Sequence, residues 1–259
     1  MNYKFIKVEK NNAVGSITMN REEVLNSFNY EMAIEFQNAL DAFDVNNEIR
    51  AIVITGAGRA FCAGQDLQAS LNGNKTIREI VAEQYNPIII KIRSIEKPII
   101  AAVNGVAAGA GANIALACDF VIAKENASFV QSFVNIGLVP DSAGSWILPR
   151  LVGFARANAM VMLGEKVKGT EAEQIGLIYK AVSEENFEGF VSEFAQNLSQ
   201  KPTFAIGLTK RAMNYSMINN LYEQLELEEN LQEQAADSYD FKEGVNAFLE
   251  KRKPVYKGE

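Results

Sequence analysis

Two runs of small residues stand out as places where this chain could do chemistry: AFCAGQDL, Ala60–Leu67, and AAVNGVAAGAGAN, Ala101–Asn113. Small residues let backbone approach a ligand closely. The second run enters a helix, whose first N–H groups lack intrahelical acceptors and carry partial positive charge. One N–H from each run, converging on a single oxygen, would make an oxyanion hole, the device that stabilises an enolate or a tetrahedral intermediate. The same composition also suits a helix packed tightly on a sheet, and on the residues alone both readings stand. Neither run is a nucleotide fingerprint. A GxGxxG pattern from Gly109 needs glycine where Ile114 stands, and one from Gly56 meets Phe61 in place of its third glycine.

The chain has 259 residues and no histidine. That absence removes Ser-His-Asp and Cys-His catalysis and histidine-ligated metal sites. Acid–base chemistry must fall to Asp, Glu, Lys, Tyr, Cys or water. Cys62 and Cys118 are the only cysteines, so neither a disulfide framework nor a thiolate-rich metal site is expected. A net charge of −7 gives no bulk attraction for nucleic acid or an anionic membrane. No apolar run reaches the roughly 20 residues that span a bilayer, and Met1–Lys10 carries no signal-peptide core, so a cytoplasmic protein is expected.

The elements that must position the two runs follow from periodicity. Tyr3–Val8 and Val14–Met19 read as strands joined by a turn at Lys10–Asn12. Tyr30–Asp44 has helical spacing, and Ala51–Thr55 is a short buried strand ahead of the first run. Gly73 and Asn74 precede a helix over Ile77–Ile95, Ile99–Val103 is a second buried strand, a Gly/Ala-rich helix covers Gly109–Ala117, and Phe120–Ala123 is a strand. Alternation of strand and helix argues for a parallel sheet with crossover helices. Beyond Pro140 helices dominate, over Ser145–Leu151, Ala155–Leu163, Thr170–Gln174, Glu184–Gln200, Thr203–Asn214, Leu221–Ala236 and Phe241–Lys251. The expected division is a core over residues 1–200 and a helical oligomerisation region over residues 201–259.

At these residues the sequence resembles the crotonase, or enoyl-CoA hydratase/isomerase, superfamily. The resemblance runs through LNSFN (Leu25–Asn29), ITGAGRAFCAGQDL (Ile54–Leu67), KPIIAAVNGVAAGAGANIALACD (Lys97–Asp119), IGLVPDSAGSWILPRLVG (Ile136–Gly153) and EGVNAFLEKRKPVYKG (Glu243–Gly258), in order and at matching spacing. It implies an α/β fold, the crotonase (ClpP-like) spiral of ββα units, with a C-terminal helical trimerisation region. The expected assembly is a homo-oligomer, a trimer or a dimer of trimers. It also implies an acyl-CoA thioester substrate whose carbonyl oxygen accepts the backbone N–H groups of Gln65 and Ala110. Ala63, Asp66 and Leu67 fall where the family's backbone surrounds CoA. Phe248 and Lys251 fall where the C-terminal helix reaches toward it, the lysine meeting phosphate. No cofactor is implied, since CoA enters as part of the substrate.

Within the superfamily, acid–base residues distinguish the reactions. The two glutamates of the hydratases would fall at Asn113 and Phe133. Asn is no general base at neutral pH, and Phe does no proton chemistry. Asp141 stands where several members place a catalytic aspartate; on the residues alone it could instead cap the helix beginning near Ser142. Burial beside Val139, Phe133 and Trp146 would raise its pKa. Two subfamilies carry aspartate there. Hydrolytic 4-chlorobenzoyl-CoA dehalogenases also use a histidine, which this chain lacks. The ring-1,2-epoxyphenylacetyl-CoA isomerases are similar in FCAGQDL, in Tyr85–Pro87, in NGVAAGAGA, in GLVPD followed by Gly144-Ser145-Trp146, and in KPTFAIGL (Lys201–Leu208); Ser142-Ala143 is a departure. The resemblance thus implies an isomerase that converts ring-1,2-epoxyphenylacetyl-CoA to oxepin-CoA and shifts enoyl-CoA double bonds. A hydratase or another lyase or hydrolase of the same fold, and a non-catalytic acyl-CoA-binding protein, are the alternatives.

Overall fold

The computed structural model describes residues 3–71 and 74–259. Its strands are β1 (Ile6–Asn11), β2 (Val14–Met19), β3 (Ala51–Gly56), β4 (Ala60–Cys62), β5 (Ile99–Val103), β6 (Val106–Ala108), β7 (Phe120–Lys124), β8 (Ser128–Val130), β9 (Lys166–Lys168) and β10 (Lys180–Val182). The helices through the first half are α1 (Tyr30–Asp44), α2 (Leu67–Leu71), α3 (Ile77–Ile80), α4 (Asn86–Ser94) and α5 (Ala110–Ala117). A π-helical turn, Val81–Tyr85, joins α3 to α4. The second half holds α6 (Gly144–Leu163), α7 (Gly169–Gln174), α8 (Phe187–Ser199), α9 (Thr203–Tyr215), α10 (Leu221–Asp237) and α11 (Tyr239–Glu250).

From β3 to β8, successive strands alternate between two sheets. One has the order β1-β2-β3-β5-β7-β10 and the other β4-β6-β8-β9. From β2 onward the first sheet is parallel, and β4, β6 and β8 are parallel in the second. Each of the pairs β3–β4, β5–β6 and β7–β8 therefore gives one strand to each sheet before the chain turns into a helical segment. This is the expected spiral of ββα units. The second sheet was not foreseen: its strands have three residues each, too few for an alternating pattern to be read. The first strand also sits later than expected. Asn12 is left-handed (φ 54) and closes a two-residue turn, so the pairing continues to Asn11 opposite Val14.

The main core lies under the first sheet, where α1, α4 and α5 pack. Every residue of α5 is buried, as an all-round apolar helix between layers must be. The other face of the sheet is covered by α8 through Phe187, Val191 and Ala195. Gly153 breaks the helical backbone inside α6 (φ 74, ψ 162), so the two expected helices there meet at a kink. The expected break at Gly73 lies outside the described residues. Arg50 ties the C-terminal segment to the core, donating to Thr203 Oγ1 (3.1 Å) and to the carbonyls of Tyr256 (2.8 Å) and Lys201 (2.6 Å). Among the described residues, no helix is long and apolar enough to cross a membrane.

Candidate active site

The first small-residue loop leaves β4 and is fixed by the segment before α1. Leu25 and Asn26 are left-handed (φ 53 and 57), and the Asn26 amide donates to the carbonyls of Ala57 and Ala60 (both 2.9 Å). Ala63 N–H donates to Leu25 O (3.0 Å), Phe28 N–H to Gly64 O (2.7 Å), and Asp66 N–H to Phe28 O (2.9 Å). These last two bonds make a parallel bridge between Phe28 and Gln65. In such a bridge the flanking residues use their polar groups, and the N–H of Gln65 faces the opposite way.

That opposite side is where the second loop arrives. Gly109 takes a conformation closed to other residues (φ 52, ψ −125) and donates to Val130 O at 2.9 Å. Ala110 is then the first residue of α5. A Cβ on Gly64, itself at φ +93, would stand 2.8 Å from Ala108 O and 3.5 Å from Ala110 N. One on Gly111 would stand 2.8 Å from Cys62 Sγ. The glycines thus bring the loops together at backbone distance. Among the described residues, the N–H groups of Gln65 and Ala110 find no acceptor. Two such donors, one at a helix N-terminus, can hold an oxygen that gains negative charge.

The Gln65 side chain, set aside when only its N–H was considered, is engaged as well. It accepts a hydrogen bond from the Tyr85 hydroxyl and donates to Ser70 Oγ. Tyr85 ends the π-helical turn and is fully buried. Burial, followed by the nearby Cys62, Asp141 and Asp66, pushes its phenol well above the ordinary range. Tyr85 is therefore hydrogen-bonded to the first loop and near enough to Asp141 to feel its charge. Cys62 is buried, and burial pushes its thiol up to about 12, so it is no thiolate nucleophile at neutral pH. Asp66 caps α2 through Ala69 N–H (3.0 Å) and pairs with Arg21 (2.9 Å). Burial alone would raise its pKa, but those hydrogen bonds hold the carboxyl below the ordinary range. Arg21 was missed; its signal was a cation shortly before the LNSFN segment. Leu67, the first residue of α2, is exposed.

Asp141 is not a helix cap. Ala143 occupies that position in left-handed conformation and makes no side-chain cap bond. The Asp141 carbonyl instead accepts from Gly144 N–H (2.9 Å) and from Asn113 Nδ2 (2.8 Å). Its carboxylate accepts from the Ser142 hydroxyl at 2.8 Å. Burial raises the carboxyl pKa, and the Ser142 bond offsets that only in part. The expected neighbours need correction, because Val139 is 80% exposed while Phe133 is buried. Phe248 is 83% exposed, and Lys251 is the left-handed C-cap of α11. Among the described residues, neither contacts the two loops or Asp141, so within one chain the structure does not gather them into the site.

Comparison with known proteins agrees with this geometry. The family model for enoyl-CoA hydratase/isomerase matches residues 9–259. The chain belongs to the enoyl-CoA hydratase/isomerase family. A probable enoyl-CoA hydratase of Rhodobacter capsulatus is 45% identical, covering 100% of both chains. A 1,2-epoxyphenylacetyl-CoA isomerase of Escherichia coli is 42% identical, covering 99% of each. The crystal structure of an enoyl-CoA hydratase from Bacillus anthracis superposes with a TM-score of 0.94 at 33% identity, covering 99% of this chain and 100% of that one. The chain is thus an enzyme of the enoyl-CoA hydratase/isomerase family with the crotonase fold, and an acyl-CoA thioester suits its site. The polar side chain that reaches Asp141 from α5 is the amide of Asn113.

Proposed function

We propose that this enzyme is an isomerase of CoA thioesters that moves a proton from the α to the γ carbon. The thioester oxygen lies between the N–H groups of Gln65 and Ala110, which meet the charge that develops on enolisation. Asp141 takes the α proton, forming a dienolate, and returns it at the γ carbon, so the double bond moves and nothing else is gained or lost. Conversion of ring-1,2-epoxyphenylacetyl-CoA to oxepin-CoA has the same proton inventory. The bond shared by the epoxide and the ring opens, the α carbon loses a proton and a ring carbon gains one. No cofactor takes part, and Ala63, Asp66 and Leu67 line the passage for CoA.

The observation that carries this reading is the half-buried Asp141 carboxylate, its pKa raised by desolvation, in a chain whose positions 113 and 133 hold no carboxylate. The raised pKa suits a group that must both accept and release a proton. The relative in Rhodobacter capsulatus favours a second reading, hydration, with Asp141 activating water. One experiment separates them. Wild type and Asp141→Asn are assayed with epoxyphenylacetyl-CoA, a 3-enoyl-CoA and crotonyl-CoA. Isomerisation that falls at least about a thousandfold in the variant, with slow crotonyl-CoA hydration in both, is expected. Rapid hydration by the wild type would establish the second reading.

The helices after residue 200 supply the oligomer contacts in this proposal. Leu231 is the only buried residue of α10, while Leu221, Tyr222 and Leu225 are exposed, as are Phe241, Val245, Phe248 and Leu249 on α11. Such a surface needs a partner. Phe248 and Lys251 would then meet the CoA of a neighbouring protomer, in a trimer or a dimer of trimers.

A further inference from the structure

Asn113 and Gln131 are among the most deeply buried polar side chains of the chain, at 1% and 0% exposure. Gln131 Nε2 donates to Asn113 Oδ1 (2.8 Å), and Asn113 Nδ2 donates to the carbonyl of Asp141 (2.8 Å). The polarity of this chain is forced. A carbonyl can only accept, so Nδ2 must face Asp141, which leaves Oδ1 to take the Gln131 donor. A carboxylate at position 113 would set a lone pair against the Asp141 carbonyl and a second charge beside its side chain. Gln131 Oε1 is buried and takes no bond among the described residues. An orphaned buried acceptor is destabilising, and an apolar residue would avoid that, so the amide serves through its donor end.

The segment being held needs holding. Ser142 and Ala143 follow Asp141 with φ of 49 and 62, a strained pair for residues that carry a Cβ. Such strain persists only where the surroundings over-determine it. Gly144 presses on the Asn113 amide so closely that a Cβ there would overlap Nδ2. Asn113 also lies three residues beyond Ala110 on α5, hence on the same face of that helix. One rigid helix therefore presents the oxyanion donor and grips the loop that carries the carboxylate.

We propose that Gln131 and Asn113 form a positioning relay that fixes Asp141 relative to the Ala110 N–H, so that the position of a hydratase glutamate serves here as a brace. This rests on the reading of Asp141 as the acid–base group. The Tyr85 phenol, which also feels Cys62 and Asp66, is near enough to feel the charge of Asp141, and Ser142 faces Asp141 as a hydroxyl.

The test uses Asn113→Asp, Gln131→Leu and the double variant, assayed with 3-hexenoyl-CoA across pH, with Asp141→Asn alongside. Asn113→Asp is expected to lower kcat about 100-fold, the usual cost of misplacing a reacting group by about 1 Å. KM should stay within about threefold, as for an interaction made in the transition state alone. The acid limb of the rate profile should move to higher pH, because a like charge now faces Asp141. Gln131→Leu is expected to lower kcat about tenfold, and the double variant to be no slower than Asn113→Asp, since both act through one chain of bonds. Independent, multiplying effects would overturn the relay, as would Asn113→Asp with kcat within about twofold of wild type and an unmoved profile. Should Asn113→Asp fail to fold, Gln131→Leu decides alone, and wild-type kcat there overturns the relay. An active Asp141→Asn would instead sink the acid–base assignment; an inactive one beside harmless relay variants sinks the relay only.

Discussion

Around Gln65, Ala110 and Asp141, side chains and backbone are tied across elements distant in sequence; along α10 and α11, large apolar side chains such as Leu221, Tyr222, Phe248 and Leu249 are exposed. The first region is braced from within. Phe28 pairs with Gln65, Tyr85 with the Gln65 side chain, Val130 with Gly109, and Asn113 with Asp141. In the second, α10 packs on α9, where the Gln224 amide donates to Ala212 O (3.2 Å), and Asp240 near the start of α11 accepts the N–H groups of Lys257 and Gly258 (2.7 and 2.8 Å). The difference teaches where each kind of substitution should act: inside the braced region a single atom should cost rate, whereas on the outward helices it should cost assembly.

Among substitutions that leave the acid–base carboxylate in place, the largest effect is expected from Gly64→Ala. The added carbon would stand 2.8 Å from Ala108 O and 3.5 Å from Ala110 N, at a backbone φ of +93. It should push the loops apart and lower kcat/KM by about 100- to 1,000-fold, the usual cost of an oxyanion donor. Steady-state assays with a CoA thioester, beside circular dichroism to confirm folding, would check this. A wild-type rate would mean that close approach of the loops serves packing only. On the outward helices, Phe248→Asp should weaken self-association by about 30-fold or more if that side chain anchors an interface. The protomer itself should stay within about 0.5 kcal/mol of wild-type stability. Light scattering over a concentration series, with urea unfolding of the dilute protein, measures both.

The braced region was partly legible in the sequence, and for a physical reason. Glycines that permit backbone contact leave a mark at fixed positions, so Gly64, Gly109 and Gly111 drew attention to both loops before any geometry was known. The long periodic helices α1, α5 and α9 were legible because burial of one face, or of all faces, dictates residue type along ten or so positions. Three-residue strands carry no such record, and a whole sheet went unread. The partners of Asp141 were hidden for a different reason. Asn113 showed only what it could not do, namely act as a base; that it donates to a carbonyl 28 residues later depends on tertiary contact. Likewise the alternative of a helix cap at Asp141 falls away because the backbone after it is left-handed, which neither Ser142 nor Ala143 announces.

Within the braced region, stability and function should pull apart at Asp141. Burial raises its pKa in the fold above the value in the unfolded chain. The sign follows: the folded state holds the proton more tightly, so stability declines as pH rises from the unfolded pKa through the raised folded one, and stays lower above it. Asp141→Asn removes that cost at neutral pH. It should raise the melting temperature at pH 7 while removing activity, and the advantage over wild type should shrink as pH falls toward 4. A variant less stable at pH 7 would mean that the carboxylate is well solvated or paired in the folded protein.

The smallest effect is expected at Ala143. Its φ of 62 is a conformation that glycine adopts freely and alanine does not. The left-handed region costs a residue with a Cβ about 1–2 kcal/mol. Glycine there would relieve that cost but give back about 0.5–1 kcal/mol as lost freedom of the unfolded chain. Ala143→Gly should therefore be more stable by no more than about 1 kcal/mol in urea unfolding. Rate is the sharper readout. If the Asn113 bond to the Asp141 carbonyl positions the carboxylate, freeing Ala143 should leave kcat nearly unchanged, because that bond holds Asp141 directly. If strain at 142–143 is what aims the carboxylate, kcat should fall even though the fold is more stable.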